Sequence, residues 1–243
     1  MLLDAQRIVK NFGGLTAVNR VSLQVNAGEI VGLIGPNGAG KTTFLNCVAG
    51  AYRPSAGTVH FLGEETTGAP AEVMCHKGLS RTFQIPRPFP KLTALENVLV
   101  GAVFGADHAS SKPARQRAEE LLEFVQFPLD ISTPAQRLNT AQLKRLDLAR
   151  ALACAPKLLF LDELASGLTP KELDAMMNLI LKIRDTSGVG MIVVEHIMKF
   201  IVGICERALV IQYGTPIAEG TPAQVMENPK VIEAYLGEEI VAA

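Results

Sequence analysis

The chain has 243 residues, 48% of them hydrophobic, and 23 lysines and arginines balance 24 acids for a net charge of −1. That length and apolar content exclude a disordered chain and suit one α/β core, or a core with a small inserted subdomain. The near-neutral balance offers no basic surface, so no nucleic-acid partner is expected.

The first residues, Met1 to Lys10, mix Asp4, Arg7 and Lys10 into an apolar stretch, unlike the uninterrupted core of a signal peptide. Strand patterns follow at Leu2 to Val9, Val21 to Val25 and Ile30 to Ile34, punctuated by glycine and asparagine. Phe12 falls in a Gly-flanked turn between the first two strands, where it is either a core anchor or a stacking surface for a flat ring. After Lys41 the spacing of Phe44, Leu45 and Val48 predicts a helix, and Thr58 to Leu62 reads as another strand.

From about Ile85 to Pro156 the pattern turns helical, with a loop around Gly105 to Pro113 between two helices. Strands return at Leu158 to Leu161, Met191 to Val194 and Ala208 to Gln212. A helix from Pro170 to Asp185 separates the first two, with Thr169 and Glu172 as its capping box. Alternating strands and helices imply a parallel sheet. The most apolar stretch, Ile197 to Tyr213, is interrupted by Lys199, Glu206 and Arg207, so no membrane span and a cytoplasmic chain are expected. Cys47, Cys75, Cys154 and Cys205 form no Cys-x-x-Cys pair and are expected to be reduced, packed thiols.

Between a strand and a helix stand Gly35, Pro36, Asn37, Gly38, Ala39, Gly40, Lys41 and Thr42, the eight-residue phosphate-loop pattern, followed by Thr43. Glycines let successive N–H groups point inward at the positive end of a helix, which makes an anion nest suited to a triphosphate. Lys41 would reach the β- and γ-phosphates, and the Thr42 hydroxyl would ligate Mg²⁺. The strand Leu158 to Leu161 delivers Asp162 and Glu163 to the same sheet edge: Asp162 for the Mg²⁺ shell, Glu163 to polarise the attacking water. Alone, such an acid pair commonly just ends a strand. His196, after the strand Met191 to Val194, and Gln84, in Arg81-Thr82-Phe83-Gln84, are silent in isolation.

The order of the phosphate loop, Gln84, the polar segment Leu138 to Gln142, Asp162-Glu163 and His196 resembles the ATP-binding subunits of ABC transporters along essentially the whole chain. The resemblance implies a P-loop, RecA-like α/β core (1–84 and 157–243) with a parallel sheet, an antiparallel β region and an inserted helical subdomain (85–156). It implies ATP and Mg²⁺ as ligands and two such subunits sandwiching two ATP molecules. It also makes Phe12 the aromatic that stacks on adenine, Gln84 a sensor and Mg²⁺ contact, and His196 a γ-phosphate contact. Asn139, Thr140, Ala141 and Gln142 match the signature that meets ATP across the dimer, although the usual Ser-Gly-Gly reads Asn139-Thr140-Ala141. Thr169 stands where the family has an aspartate, and Leu164 where proline is common. A bland reading of the signature segment is an ordinary helix cap at Asn139 or Thr140.

Residues Arg81 to Val98 and the tail from Glu219 to Glu238 look like the branched-chain amino-acid importer subfamily. That implies a second ATPase, transmembrane permeases and, indirectly, a periplasmic binding protein as partners, with this chain peripheral on the inner face of the membrane. A lipid or lipopolysaccharide exporter ATPase and a non-transport ABC ATPase are the alternatives. No Asn-Lys-x-Asp motif supports a GTPase.

Overall fold

The computed structural model describes residues 1–106 and 111–241. Strands β1 (Leu3–Phe12), β2 (Leu15–Val25), β4 (Ala56–Phe61) and β5 (Glu64–Glu65) form an antiparallel sheet in the order β2-β1-β4-β5. A six-stranded sheet carries β3 (Ile30–Ile34), β6 (Leu79–Arg81), β7 (Leu158–Asp162), β8 (Gly190–Val194), β9 (Arg207–Gln212) and β10 (Thr215–Gly220) in the order β10-β9-β3-β8-β7-β6. All its pairings are parallel except β9 with β10.

The inner strands are unbroken apolar runs because both faces are covered. Ile30, Leu159, Leu161, Met191, Val193 and Val210 point into one core with the helices, while Val31, Leu33, Phe160, Ile192, Val194 and Ile211 point into the other with the antiparallel sheet. Each fully buried side chain of this size contributes about 1.5–3 kcal/mol before entropy is counted. The first core contains α3 (Ala94–Phe104), α4 (Ser111–Phe124), α5 (Thr140–Ala153), α6 (Pro170–Ser187) and α7 (Met198–Ile204). Helix α1 (Lys41–Val48) and α2 (Ala71–His76) belong to the second. Two further helices, α8 (Pro222–Met226) and α9 (Pro229–Val241), follow β10.

Differences from the sequence reading are local. β1 runs on to Phe12, so that residue ends a strand and the turn is Gly13-Gly14. β2 begins at Leu15 rather than Val21. Both extensions are ladder pairings, Phe12 with Leu15 and Asn11 with Thr16, that no apolar alternation announces. Helix α4 starts at Ser111, so the expected loop is shorter; Pro113 lies in its first turn, where no intrahelical donor is lost. Residues 107–110 of that loop lie outside the described residues. The cysteines are free thiols, Cys47 and Cys205 buried, Cys75 and Cys154 half-buried.

Parallel order brings the C-terminal ends of β3, β6, β7 and β8 to one edge, and each continues into a site segment. Segment 85–93, between β6 and α3, is held by Asn97, with Arg150 also donating to the Arg87 carbonyl at 3.0 Å. Buried Asn97 accepts from the Phe89 N–H at 2.8 Å and donates to the Phe89, Leu92 and Thr93 carbonyls.

Candidate nucleotide site

The loop after β3 folds back on itself as its glycines dictate. Gly35 has φ +147° and Gly40 φ +98°; a Cβ there would lie 2.0 Å from the Ile211 carbonyl oxygen and 2.4 Å from that of Ala17. No side chain at those positions fits without moving backbone. Gly40 caps α1 with no side-chain hydrogen bond, which leaves the first N–H groups of the helix directed out of its end. Lys41 is buried, and its Nζ donates to Gly35 O at 2.6 Å and Pro36 O at 2.8 Å, so a desolvated ammonium sits inside the loop.

A cleft of about 550 Å³ opens over this loop. Asn37, Gly38, Ala39, Gly40, Lys41, Thr42 and Thr43 form its floor, with Phe12, Gln84, Glu163 and Tyr213 on its walls. That size suits a small-molecule ligand. Phe12 is 43% exposed and meets Tyr52 edge-on at 5.4 Å, with Lys10 Nζ 5.0 Å from its ring centre, so one ring is steadied at the cleft's rim.

Asp162 ends β7, and its Oδ2 accepts from Arg81 at 2.9 Å, while Arg81 also donates to Asn46 Oδ1 at 2.6 Å. Burial pushes the Asp162 carboxyl above the usual range, and the Arg81 charge only partly offsets it. Glu163 follows with φ +48°, its N–H donating to Val194 O at 2.9 Å. Its Oε2 accepts from Gln84 Nε2 at 2.5 Å, and its Oε1 lies 3.8 Å from His196 Nδ1. Three residues that mean little apart in the sequence thus touch, or nearly so.

Asn139, Thr140, Ala141 and Gln142 do not line this cleft; they form the start of α5. Asn139 is the N-cap: its Oδ1 accepts from the Gln142 N–H at 3.0 Å, and Gln142 Oε1 accepts from the Asn139 N–H at 2.9 Å. The capping reading of that segment therefore holds for Asn139 and not for Thr140. Thr169 likewise caps α6, paired with Glu172.

Sequence reasoning missed Arg81, Lys144, Glu195 and Tyr213. Glu195 directly precedes His196, and Arg81 opens the segment that carries Gln84, a nearness in sequence that was the one available signal for both; nothing marked Lys144, an exposed-looking residue on a helix. Tyr213 holds φ +49° in the β9–β10 turn, and the next residue, Gly214, donates to Ala39 O at 2.9 Å, tying that turn to the phosphate loop.

Residues 18–166 match the family model described as ABC transporter, and residues 215–241 match that of branched-chain amino acid ATP-binding cassette transporters. The chain belongs to the ABC transporter family. This ABC cassette is 41% identical to the high-affinity branched-chain amino acid transport ATP-binding protein BraF of Pseudomonas aeruginosa, over 98% of each chain. It is 39% identical to LivG of Escherichia coli K12 over the same share, and 34% identical to the lipopolysaccharide export ATP-binding protein LptB of Acidithiobacillus ferridurans, again over 98% of each. Among solved structures it superimposes on a nucleotide-free ATP-binding cassette from an ABC transporter with a TM-score of 0.86 at 29% identity, covering 96% and 98% of the two chains. A dimeric post-hydrolysis cassette bound to ADP and Pi matches with a TM-score of 0.81 at 27% identity over 91% and 99%. The cassette is an ABC ATPase, and its hydrolysis of ATP is coupled to transport.

Proposed function

We propose that this cassette drives uptake of branched-chain or other hydrophobic amino acids, hydrolysing ATP in the cleft over residues 35–43. The observation that carries the hydrolytic part is the convergence of Gln84 and His196 on the Glu163 carboxylate beside the phosphate loop. Adenine stacks on Phe12, the loop N–H groups and the α1 N-terminus receive the phosphates, and Lys41 exchanges its loop carbonyls for β- and γ-oxygens. Glu163 orients and polarises the attacking water, held by Gln84, while His196 contacts the γ-phosphate.

The donors available for a cation are the Thr42 hydroxyl, the Gln84 amide and the Asp162 carboxylate; among the described residues no cluster of three His, Cys, Asp or Glu side chains could hold one. So sparse and hard a donor set fits Mg²⁺, which takes few protein ligands and completes its shell with phosphate and water. When bound, Mg²⁺ supplies charge neutralisation to the phosphates.

The amino-acid assignment rests on BraF and LivG at about 40% identity and on the match of residues 215–241, both of which favour it over lipopolysaccharide export. No helix among the described residues is long and apolar enough to cross a membrane. The passage belongs to permease subunits, with this chain peripheral on the inner face of the membrane and a periplasmic binding protein delivering cargo to the far side. A second ABC ATPase completes the working dimer, as in the dimeric cassette above. Within the chain, 1–84 and 157–243 act as the nucleotide-binding core and 85–156 as the helical subdomain.

Glu163→Gln tests this reading. It keeps the hydrogen bond with Gln84 and removes the base, so ATP·Mg²⁺ affinity by calorimetry should hold while turnover falls about a hundredfold or more. Near-normal turnover overturns the assignment.

A further inference from the structure

Two buried charges that the proposed chemistry does not use converge on the turn that carries Glu163. A side-chained residue keeps a left-handed backbone such as φ +48° only where its surroundings impose it. Lys144, 4% exposed, extends from the second turn of α5 and spends its ammonium on this turn: Nζ donates to Glu163 O at 3.0 Å, to Leu164 O at 2.9 Å and, more closely, to Ser166 O. An ammonium has three protons, and here three backbone carbonyls of one turn take them. From the end of β8, the fully buried Glu195 accepts the Ala165 N–H on Oε1 at 2.6 Å, while its Oε2 has no hydrogen-bond partner among the described residues. Burying either group is costly, and the hydrogen bonds that both make among the described residues go to main chain, so what they fix is a backbone shape.

We infer that Lys144 and Glu195 are positioning residues for hydrolysis: they clamp the 163–166 turn so that the Glu163 carboxylate meets Gln84 and His196 over the cleft. Lys144 also makes that aim depend on the seating of α5. This helix begins with the 139–142 segment, and any shift of it relative to β7 pulls directly on the Glu163 and Leu164 carbonyls. A carboxylate displaced by about 1 Å from its water loses on the order of a hundredfold in rate, without altering the phosphate loop that holds ATP. The inference rests on the reading of Glu163 as the group that activates water.

The test is steady-state ATP hydrolysis by the assembled transporter together with ATP·Mg²⁺ affinity of the full chain. Lys144→Met and Glu195→Ala should each lower kcat about ten- to a hundredfold with KM for ATP within about twofold. Glu195→Gln, which keeps an acceptor for the Ala165 N–H, should retain most of the rate. Added to Glu163→Gln, neither Lys144→Met nor Glu195→Ala should slow the residual reaction further, because both act through that side chain. Losses that multiply with Glu163→Gln, a KM that rises in step with the fall in kcat, or wild-type kcat in both single variants overturns the inference while leaving the Glu163 assignment intact. Wild-type turnover in Glu163→Gln alone overturns the underlying reading, and the inference with it.

Discussion

Glu195, a buried carboxyl, ties the stability of the cassette to pH. Burial pushes its carboxyl up to about 7; the Ala165 N–H and the Lys144 charge pull it down in part, and the nearby Glu163 pushes it up. Below about pH 4.5 the group is neutral folded or unfolded and costs nothing. Between there and about 7 the unfolded chain ionises while the folded one holds its proton, so folding loses stability as pH rises, and above about 7 the loss is complete. Glu195→Gln keeps the acceptor and never ionises. Its melting temperature should come close to the wild type near pH 4.5 and exceed it by about 6–12 °C at pH 8, corresponding to roughly 3 kcal/mol in a chain of this size. A difference that stays flat from pH 5 to 8 removes Glu195 as the titrating group.

At the scale of elements, segment 85–93 connects Gln84, the proposed nucleotide sensor, to α3, and it is built rather than loose. Asn97 pins Phe89 and Leu92 from below, yet the Phe89 ring stays 46% exposed. Beside it lies a groove of about 460 Å³ between α2, α3 and α5, lined by Phe83, Phe89, Val100, Phe104 and the stem of Arg150. The proposed docking of a permease helix falls on the stretch Gln84 to Leu95, whose exposed Phe89 borders this apolar groove. Phe89→Asp should leave the isolated chain folded, with circular dichroism and nucleotide affinity unchanged, and reduce transport about tenfold or more by breaking the docked contact. Loss of soluble, folded protein would instead show that the ring supports the core. The same elements show why sequence reading missed strand ends: the Asn11–Thr16 and Phe12–Leu15 pairings are fixed by ladder register against a partner strand, while apolar alternation reports only burial.

For the whole molecule, the proposed dimer would place the start of α5 against a site held by the second subunit. Asn139 and Gln142 spend their side chains and two N–H groups on each other, and Thr169 spends its hydroxyl on Glu172, so fewer groups face outward to an ATP held by a second subunit. If that subunit carries an intact Ser-Gly-Gly signature, ATP on this chain's Lys41 and Glu163 turns over fast and ATP on the partner's loop turns over slowly. Losing one well-aimed donor to transition-state charge costs about 3 kcal/mol. Glu163→Gln here should then abolish most hydrolysis by the complex, and the equivalent change in the partner should cost far less. Equal losses, measured as steady-state ATPase of the two singly mutated complexes, would overturn the asymmetry.

Residues 35–42, the apolar strands and the capped helix at Thr169 were legible in sequence because each is a local device. Glycine conformation, side-chain periodicity and N-capping act over a few neighbours, so a short window contains the whole cause. That locality also revealed Asp162, Glu163 and His196 as ends of strands sharing one edge. Only the tertiary structure decided that Arg81 clasps Asp162 from 81 residues away, that Glu195 takes the Ala165 N–H across 30, and that Lys144 spends its charge on the turn of Glu163. These partners meet because β6, β7 and β8 become neighbours and α5 packs against their ends, which is a property of strand order and packing that no single segment of the chain carries.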